Sequence, residues 1–390
     1  MSINKHLNIV DYTLQSLLRR KLKNMGIILV FTFVIFICGS ILFLSYSFKR
    51  EAQLILKNAP ELLVQRMIAG RHDLVPLSMA RDIAKIPGVA GVEPRYWGYY
   101  YDGFVGANYT VIAVSGSAAG ENRMVKGRLP GPGEALTAAV GAGIARARSV
   151  DLGSDMFLMS SQGQLMTFNV TGIFESASEL LTTDLIVISQ TDFRRLFNMP
   201  AGMATDLAVS VSNETEAPVI ARKVREYFPG TRPILRSEIL RTYDAVFGWR
   251  SGLVLTLFAG ALLAFIILAW DKATGLSAEE RREIGILKAL GWETSDVLEM
   301  KFWEGIVISL TSFLLGVIFA YLHVFYFGAS LLGPALKGWS VIYPHFRLLP
   351  FIDPYQIATL MALTVIPYIA ATVIPSWKAS ITDPDEVVRG

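Results

Sequence analysis

Residues 277–305 read SAEERREIGILKALGWETSDVLEMKFWEG, a charged segment set between two long apolar windows. Ser277 followed by Glu280 forms a capping box, and Gly291 supplies a left-handed stop. Between them the pattern predicts a helix over residues 278–290. Ile284, Leu287 and Leu290 are apolar at three-residue spacing, with Ile286 and Ala289 beside them. Glu279, Glu280, Arg281, Arg282, Glu283 and Lys288 supply the polar part. Gly285 allows close backbone approach. Such a helix is too short and too charged to cross a bilayer. It lies at a membrane surface, docks on a partner, or is a plain solvated connector. A second helix is expected to start near Thr294 or Ser295 and to run through Trp303 into the next apolar window.

The windows around this segment decide the class. Residues 24–48, 251–270, 305–336 and 354–377 hold no Asp, Glu, Lys or Arg. Crossing the hydrocarbon layer takes about 20 such residues. Spans are therefore expected at 25–48, 251–270, 305–327 and 354–377. Charged residues make up 18% of the 390, below the roughly 25% of soluble domains. An ordinary soluble enzyme and a disordered chain are excluded. A net charge of +3, spread along the chain, gives no nucleic-acid footprint. Cys38 is the single cysteine, so no disulfide forms within the chain. His6, His72, His323 and His345 show no ligand spacing, and no metal site is expected. The first window is longer than the apolar core of a signal peptide and reads as a retained span.

Lys and Arg in short segments set orientation. Residues 1–24 carry Lys5, Arg19, Arg20, Lys21 and Lys23, and residues 271–304 carry Lys272, Arg281, Arg282, Lys288 and Lys301. The tail, 378–390, adds Lys378 and Arg389, whereas residues 328–353 have only Lys337 and Arg347. Both termini and the 271–304 loop are thus expected in the cytoplasm, with residues 49–250 and the 328–353 loop outside. Within 1–24, Ile3, Leu7, Val10, Leu14, Leu17, Leu18 and Leu22 form one helical stripe, which reads as an interfacial amphipathic helix.

Residues 49–250 read as a folded α+β domain. Strand-length apolar runs fall at 109–114, 156–159, 166–173, 185–189 and 207–211, bounded by turn residues. Helical stretches fall at 79–86, 190–197 and 216–227, with Thr191 or Asp192 as a cap for the second and Pro218 in the first turn of the third. Residues 49–69 and 234–249 are candidates for a helical stalk. The aromatic run Trp97, Tyr99, Tyr100 and Tyr101 is a candidate cargo contact, or one face of a buried strand with an edge.

The chain carries no catalytic signature. It lacks the phosphate loop G-x-x-x-x-G-K-[ST], H-E-x-x-H and G-x-S-x-G. Gly141 and Gly143 begin something like a dinucleotide fingerprint, but Arg146 stands where its last glycine belongs, and a turn or helix start is the better reading. Asn213-Glu-Thr215 is a three-residue glycosylation match that carries little weight.

The segment Arg282-Glu283-Ile284-Gly285-Ile286-Leu287-Lys288-Ala289-Leu290-Gly291 resembles the cytoplasmic signature of MacB/FtsX-like ABC transporter permeases, which include macrolide exporters, lipoprotein-release permeases and FtsX. Residues 17–23, LLRRKLK, resemble the basic lead-in to that family's first span. Glu304 with Gly316 resembles the start and middle of its third. Residues 375–379, PSWKA, with Asp383-Pro384 and Glu386-Val387, resemble its C-terminal tail. Val125-Lys126-Gly127-Arg128 and Val170-Thr171-Gly172-Ile173-Phe174 are similar to its periplasmic core domain. The run from 90 to 119 departs most.

The resemblance implies four spans, a large domain between the first two, and a coupling helix before span three. The coupling residues would be Glu279, Arg282, Glu283, Ile284, Gly285, Ile286, Leu287, Lys288, Leu290 and Gly291, with Ile286 and Leu287 as knobs in an ATPase groove. Glu304 and Gly316 would transmit motion along span three. It also implies a pair of ATPase subunits that bind ATP and Mg, no cofactor on this chain, a second permease copy, and a periplasmic adaptor or carrier. The place would be the inner membrane and the cargo an apolar one. The alternatives are an FtsX-like regulator of an external enzyme and a receptor or scaffold without ATPase.

Overall fold

The computed structural model describes residues 3–57, 59–114, 124–131, 133–174, 182–247, 278–333 and 350–381, with positions 256, 259, 260, 263, 267, 342 and 348. These fall into two compact units. One is built from Met1–Phe48, Phe247–Leu331 and Leu349–Gly390, the other from Lys49–Val246 with Leu332–Leu348. Helix α1 (Ile3–Arg19) is followed after Arg20 by α2 (Lys21–Leu56), a single helix that contains the first apolar window.

The second unit begins with β1 (Leu62–Ile68), β2 (Arg71–Asp73), β3 (Val75–Pro76), α3 (Leu77–Ile83), β4 (Val89–Arg95), β5 (Trp97–Asp102) and β6 (Ala107–Ala113). Next come β7 (Met124–Gly127), β8 (Thr137–Gly141), α4 (Ala142–Arg148), β9 (Asp155–Met159), β10 (Leu165–Phe174) and β11 (Leu185–Ile188). It closes with α5 (Gln190–Phe197), β12 (Met203–Ala204), β13 (Asp206–Val211), α6 (Ala217–Tyr227), β14 (Thr231–Leu235) and α7 (Arg236–Phe247).

Two sheets and a short β3–β12 pair result. The smaller sheet runs β14-β1-β13-β4, with β2 beside β1, and all its pairs are antiparallel. Its core holds Leu62, Val64, Ile83, Leu207, Ile220 and Val224, contributed by strands and by α3 and α6. The larger sheet runs β5-β6-β11-β8-β10-β7, with β9 on β10. It is mixed, because β6–β11 and β8–β10 are parallel. Strand β10 alternates exposed and buried side chains for most of its length, as a strand packed on one face requires. Ile342, from the segment between the last two apolar windows, joins this core.

The two motifs that resemble a periplasmic core domain come together here, since Gly127 pairs with Gly172. Gly127 has φ +79, and a Cβ there would strike the Thr171 carbonyl oxygen, so glycine is required twice over. Gly141 ends β8 and caps the start of α4, so it is a helix start.

Two expectations need correction. The stalk over 49–69 is helical only to Leu56, and 62–68 form β1, because Leu62 and Val64 bury into a sheet core. The cap of α5 is Ser189, whose hydroxyl accepts the Asp192 N–H. Asp192 instead turns its carboxylate to the Leu136 N–H and the Ser189 hydroxyl.

The membrane unit continues with α8 (Ala278–Ala289), α9 (Thr294–Tyr321), a π-turn (Leu322–Tyr326) and α10 (Pro354–Ile381). Among the described residues, Lys21–Glu51, Thr294–Tyr326 and Pro354–Trp377 are long and apolar enough to cross a membrane. The expected span at 251–270 lies outside the described residues except for five helical positions: 256, 259, 260, 263 and 267. Small residues let the helices close up. A Cβ added at Gly39 would stand 2.9 Å from Ala320, one at Gly305 2.7 Å from Thr372, and one at Gly316 2.7 Å from Ile35. Ser309, Ser312, Thr364 and Ser376 donate to carbonyls one turn back in their own helices at 2.7–2.8 Å. His323 is buried, bonds Ser40 at 3.0 Å through Nδ1, and accepts the Leu331 N–H on Nε2. With Nε2 accepting, the neutral ring carries its proton on Nδ1.

Candidate functional site

Helix α8 ends as the sequence requires. Gly291 has φ +95, the Trp292 N–H reaches the Leu287 carbonyl and the Gly291 N–H reaches Lys288, both at 3.0 Å. This is a Schellman closure, and it packs Trp292 against the cluster of Ile9, Leu287 and Met300. Ser277 lies outside the described residues. Glu279 is helical in backbone. Helix α9 starts at Thr294, as expected. Its cap is Glu293, which exchanges hydrogen bonds with Asp296 in a capping box.

The two sides of α8 differ. Ile284 and Leu287 are buried at 3% and 4% exposure, while Ile286 and Leu290 are open at 52% and 74%. Arg282 is exposed, Lys288 is half-buried, and nothing stands within 4 Å of a Cβ built on Gly285. Ile286 and Leu287, expected as joint knobs, therefore do not share a face. Leu287 is enclosed by Ile9 of α1 and Met300 of α9 because apolar surface from three helices meets there.

Glu283 also points inward. Arg20 lies 3.0 Å and Arg19 3.8 Å from its carboxylate, and the hydroxyls of Tyr12 and Ser16 each donate to it at 3.4 Å. Nearby, Lys5 pairs with Asp296 at 2.7 Å and His6 with Glu299 at 2.6 Å. The hydrogen bond it donates to the Asp296 carboxylate holds the Lys5 ammonium above its usual pKa. The Tyr12 and Trp292 rings stand 5.3 Å apart. The sequence stripe on α1 identified its open side, since Leu7, Leu14 and Leu18 are exposed, as is Leu22 at the start of α2. It missed the second side, where Ile9, Tyr12 and Ser16 face α8 or α9 and Thr13 is buried. The signal was present as a polar–aromatic row at four-residue spacing beside the leucines.

Glu304 pairs with Lys301, one turn earlier in α9, at 2.7 Å, and Lys301 is itself buried. Gly316 sits against α2, where a Cβ would also lie 3.0 Å from the Thr32 carbonyl oxygen.

In the other unit the aromatic run forms the edge strand β5. Tyr100 turns inward, stacks on Tyr109 and accepts the Met159 N–H. Tyr99 and Tyr101 stand out at 70% and 65% exposure, and Trp97 donates its indole N–H to Asp206. At the end of β5 the buried Asp102 accepts from Tyr109, Arg148 and the Phe104 N–H. Burial opposes its ionisation, but these donors outweigh burial and hold the carboxyl below the usual range. Among the described residues no group of His, Cys, Asp or Glu could hold a metal ion.

With this geometry in place, two family models match. The FtsX-like permease C-terminal model covers residues 251–384, and the MacB-like periplasmic core domain model covers residues 25–227, more than half of the chain. The chain belongs to the MacB/FtsX-like superfamily of ABC transporter permeases. These are membrane-embedded components that work with ABC ATPase partners and are not themselves the ATPase. Two solved structures are similar. One is the extracellular domain of the noncanonic ABC-type transporter YknZ from Gram-positive bacteria, at 9% identity and TM-score 0.32, over 44% of this chain and 98% of that one. The other is the periplasmic region of MacB from Actinobacillus actinomycetemcomitans, at 14% identity and TM-score 0.32, over 47% and 92%. No curated protein matches the chain.

Proposed function

We propose that this chain is a four-span permease subunit that docks on a cytoplasmic ATPase pair through the open side of α8. Closure of that pair, driven by ATP with Mg, moves the spans and the extracytoplasmic domain. The subunit works as a homo- or heterodimer in the inner membrane, with both termini in the cytoplasm and an adaptor or carrier outside. The cargo is apolar: a lipoprotein, a lipid or a hydrophobic small molecule. One observation carries the reading. Ile286 and Leu290 stay exposed on a helix whose other side is already packed, which is what a separate docking surface requires. Tyr99 and Tyr101 on the edge strand support an external contact with apolar cargo.

The test is purification of the full chain in mild detergent, with mass spectrometry of what co-elutes. An ATPase should accompany the wild type. Ile286→Asp combined with Leu290→Asp should insert normally and lose it, since removing an interface anchor costs about 2 kcal/mol or more, roughly thirtyfold in affinity. Undiminished co-purification would remove α8 from the docking role. Cysteines at Ser161 or Asn213 should label from outside intact cells and one at Thr294 should not.

A further inference from the structure

We propose that Glu283 is a positioning residue that fixes the roll of α8, so that Ile286 rather than Leu287 faces a partner. This deepens the docking reading and rests on it only for what the exposed side meets. The carboxylate meets Tyr12, Ser16 and Arg19, which follow one another along a single side of α1, and Arg20 just past its end. Tyr12, Ser16 and the more distant Arg19 meet Oε1 and Arg20 meets Oε2, so both carboxylate oxygens are engaged. Its side chain is 22% exposed and that of Arg20 24%, which keeps the pair partly shielded from solvent.

The apolar contacts of Ile284 and Leu287 set this angle only loosely. Ile9 and Met300 enclose Leu287, but burial of apolar surface is non-directional. A roll of one residue step, about 100°, would exchange Leu287 for Ile286, a side chain of similar volume. Hydrogen bonds to a charged carboxylate are directional and strong. The same roll would bring Arg282 toward Arg19 and Arg20 in place of Glu283, setting like charges together. It would also put Glu283 where Ile284 is now buried, so the ion pairs and the apolar face favour one angle together, and the carboxylate supplies the directional part.

The experiment uses the full-length permease in nanodiscs, with no ATPase present and Cys38→Ala as background. Ile286→Cys should react rapidly with a water-soluble maleimide and Leu287→Cys slowly. Adding Glu283→Ala should shrink that contrast by about tenfold, the equivalent of ~1.4 kcal/mol. Hydrogen exchange in residues 3–19 should accelerate in the same variant, which gives a reading without any cysteine in the cluster. Reversing the pair, Glu283→Arg with Arg20→Glu, should restore both readings, which a general loss of stability would not allow. An unchanged contrast in Glu283→Ala, or a reversed pair that restores nothing, overturns the proposal. Because no ATPase is present, failure of the docking reading leaves these results standing and is recognised separately.

Discussion

The strand-built unit and the apolar helices satisfy most of their buried polar groups by different means. In the extracytoplasmic-type unit the partners lie far apart in sequence. Arg95 grips Asp206 with two hydrogen bonds at 2.7 and 2.6 Å, and Asp206 is fully buried. Asp102, on β5, takes Arg148 from α4. In the apolar helices, buried Ser309, Ser312, Thr364 and Ser376 bond the turn before them. Lipid offers no hydrogen bonds, so a spanning segment has to satisfy itself before it meets a neighbour. A domain that folds in water can tie distant strands together with charge. Apart from the Ser40–His323 bond, the helices recognise one another largely through shape, as Gly39, Gly305 and Gly316 do.

The largest effect should come from Asp206→Ala, which strands Arg95 and removes the partner of the Trp97 indole. Breaking a buried pair costs about 3–5 kcal/mol, so thermal unfolding or protease resistance of the full chain should drop sharply. Gly316→Leu comes next at about 1–3 kcal/mol, the range for overpacking, read as loss of monodisperse protein in detergent. An equal cost for Ser309→Ala, expected at about 0.6 kcal/mol or less, would break the contrast between the units.

A pH series sharpens it. The Asp102 carboxyl is held below its usual pKa in the folded state. Its contribution is therefore complete above the unfolded value of about 3.9 and is lost as pH falls below it. The melting-temperature gap between wild type and Asp102→Asn should be wide at neutral pH and close on acidification. A gap that widens in acid would reverse the assignment. The smallest effect belongs to Tyr99→Asp with Tyr101→Asp. Both sites are open, so stability should move by no more than about 0.5 kcal/mol, with ATPase co-purification intact and cargo handling reduced.

Much of the fold was legible because local chemistry and packing agree. Helix α5 lies at the residues its pattern marked, and β9, β10 and β13 fall within a residue of theirs. Gly291 announced the end of α8. The misses share a cause, which is that a distant partner decided them. Residues 49–69 look helical until β13 and β14 draw 62–68 into a sheet. Glu283 reads as one charge among six on a polar helix, and nothing near it in sequence indicates that α1 supplies its donors. Leu287 stands on the three-residue spacing with Ile284 and Leu290, yet Leu290 is open while α1 and α9 enclose Leu287, so the spacing alone did not give the buried side.

The π-turn at Leu322–Tyr326 has a consequence for how length variation would be tolerated. Its signature bond runs from the Phe327 N–H to the Leu322 carbonyl, five residues back. One extra residue is thereby absorbed without lengthening the helix by a full turn. Removing a single residue there should let an ordinary α-turn re-form with the downstream chain in phase. The same deletion near Gly316 would swing everything after it by about 100° and take that glycine's neighbours off Ile35. Single-residue length changes in the third apolar helix should therefore be accepted at this turn and rejected elsewhere along it.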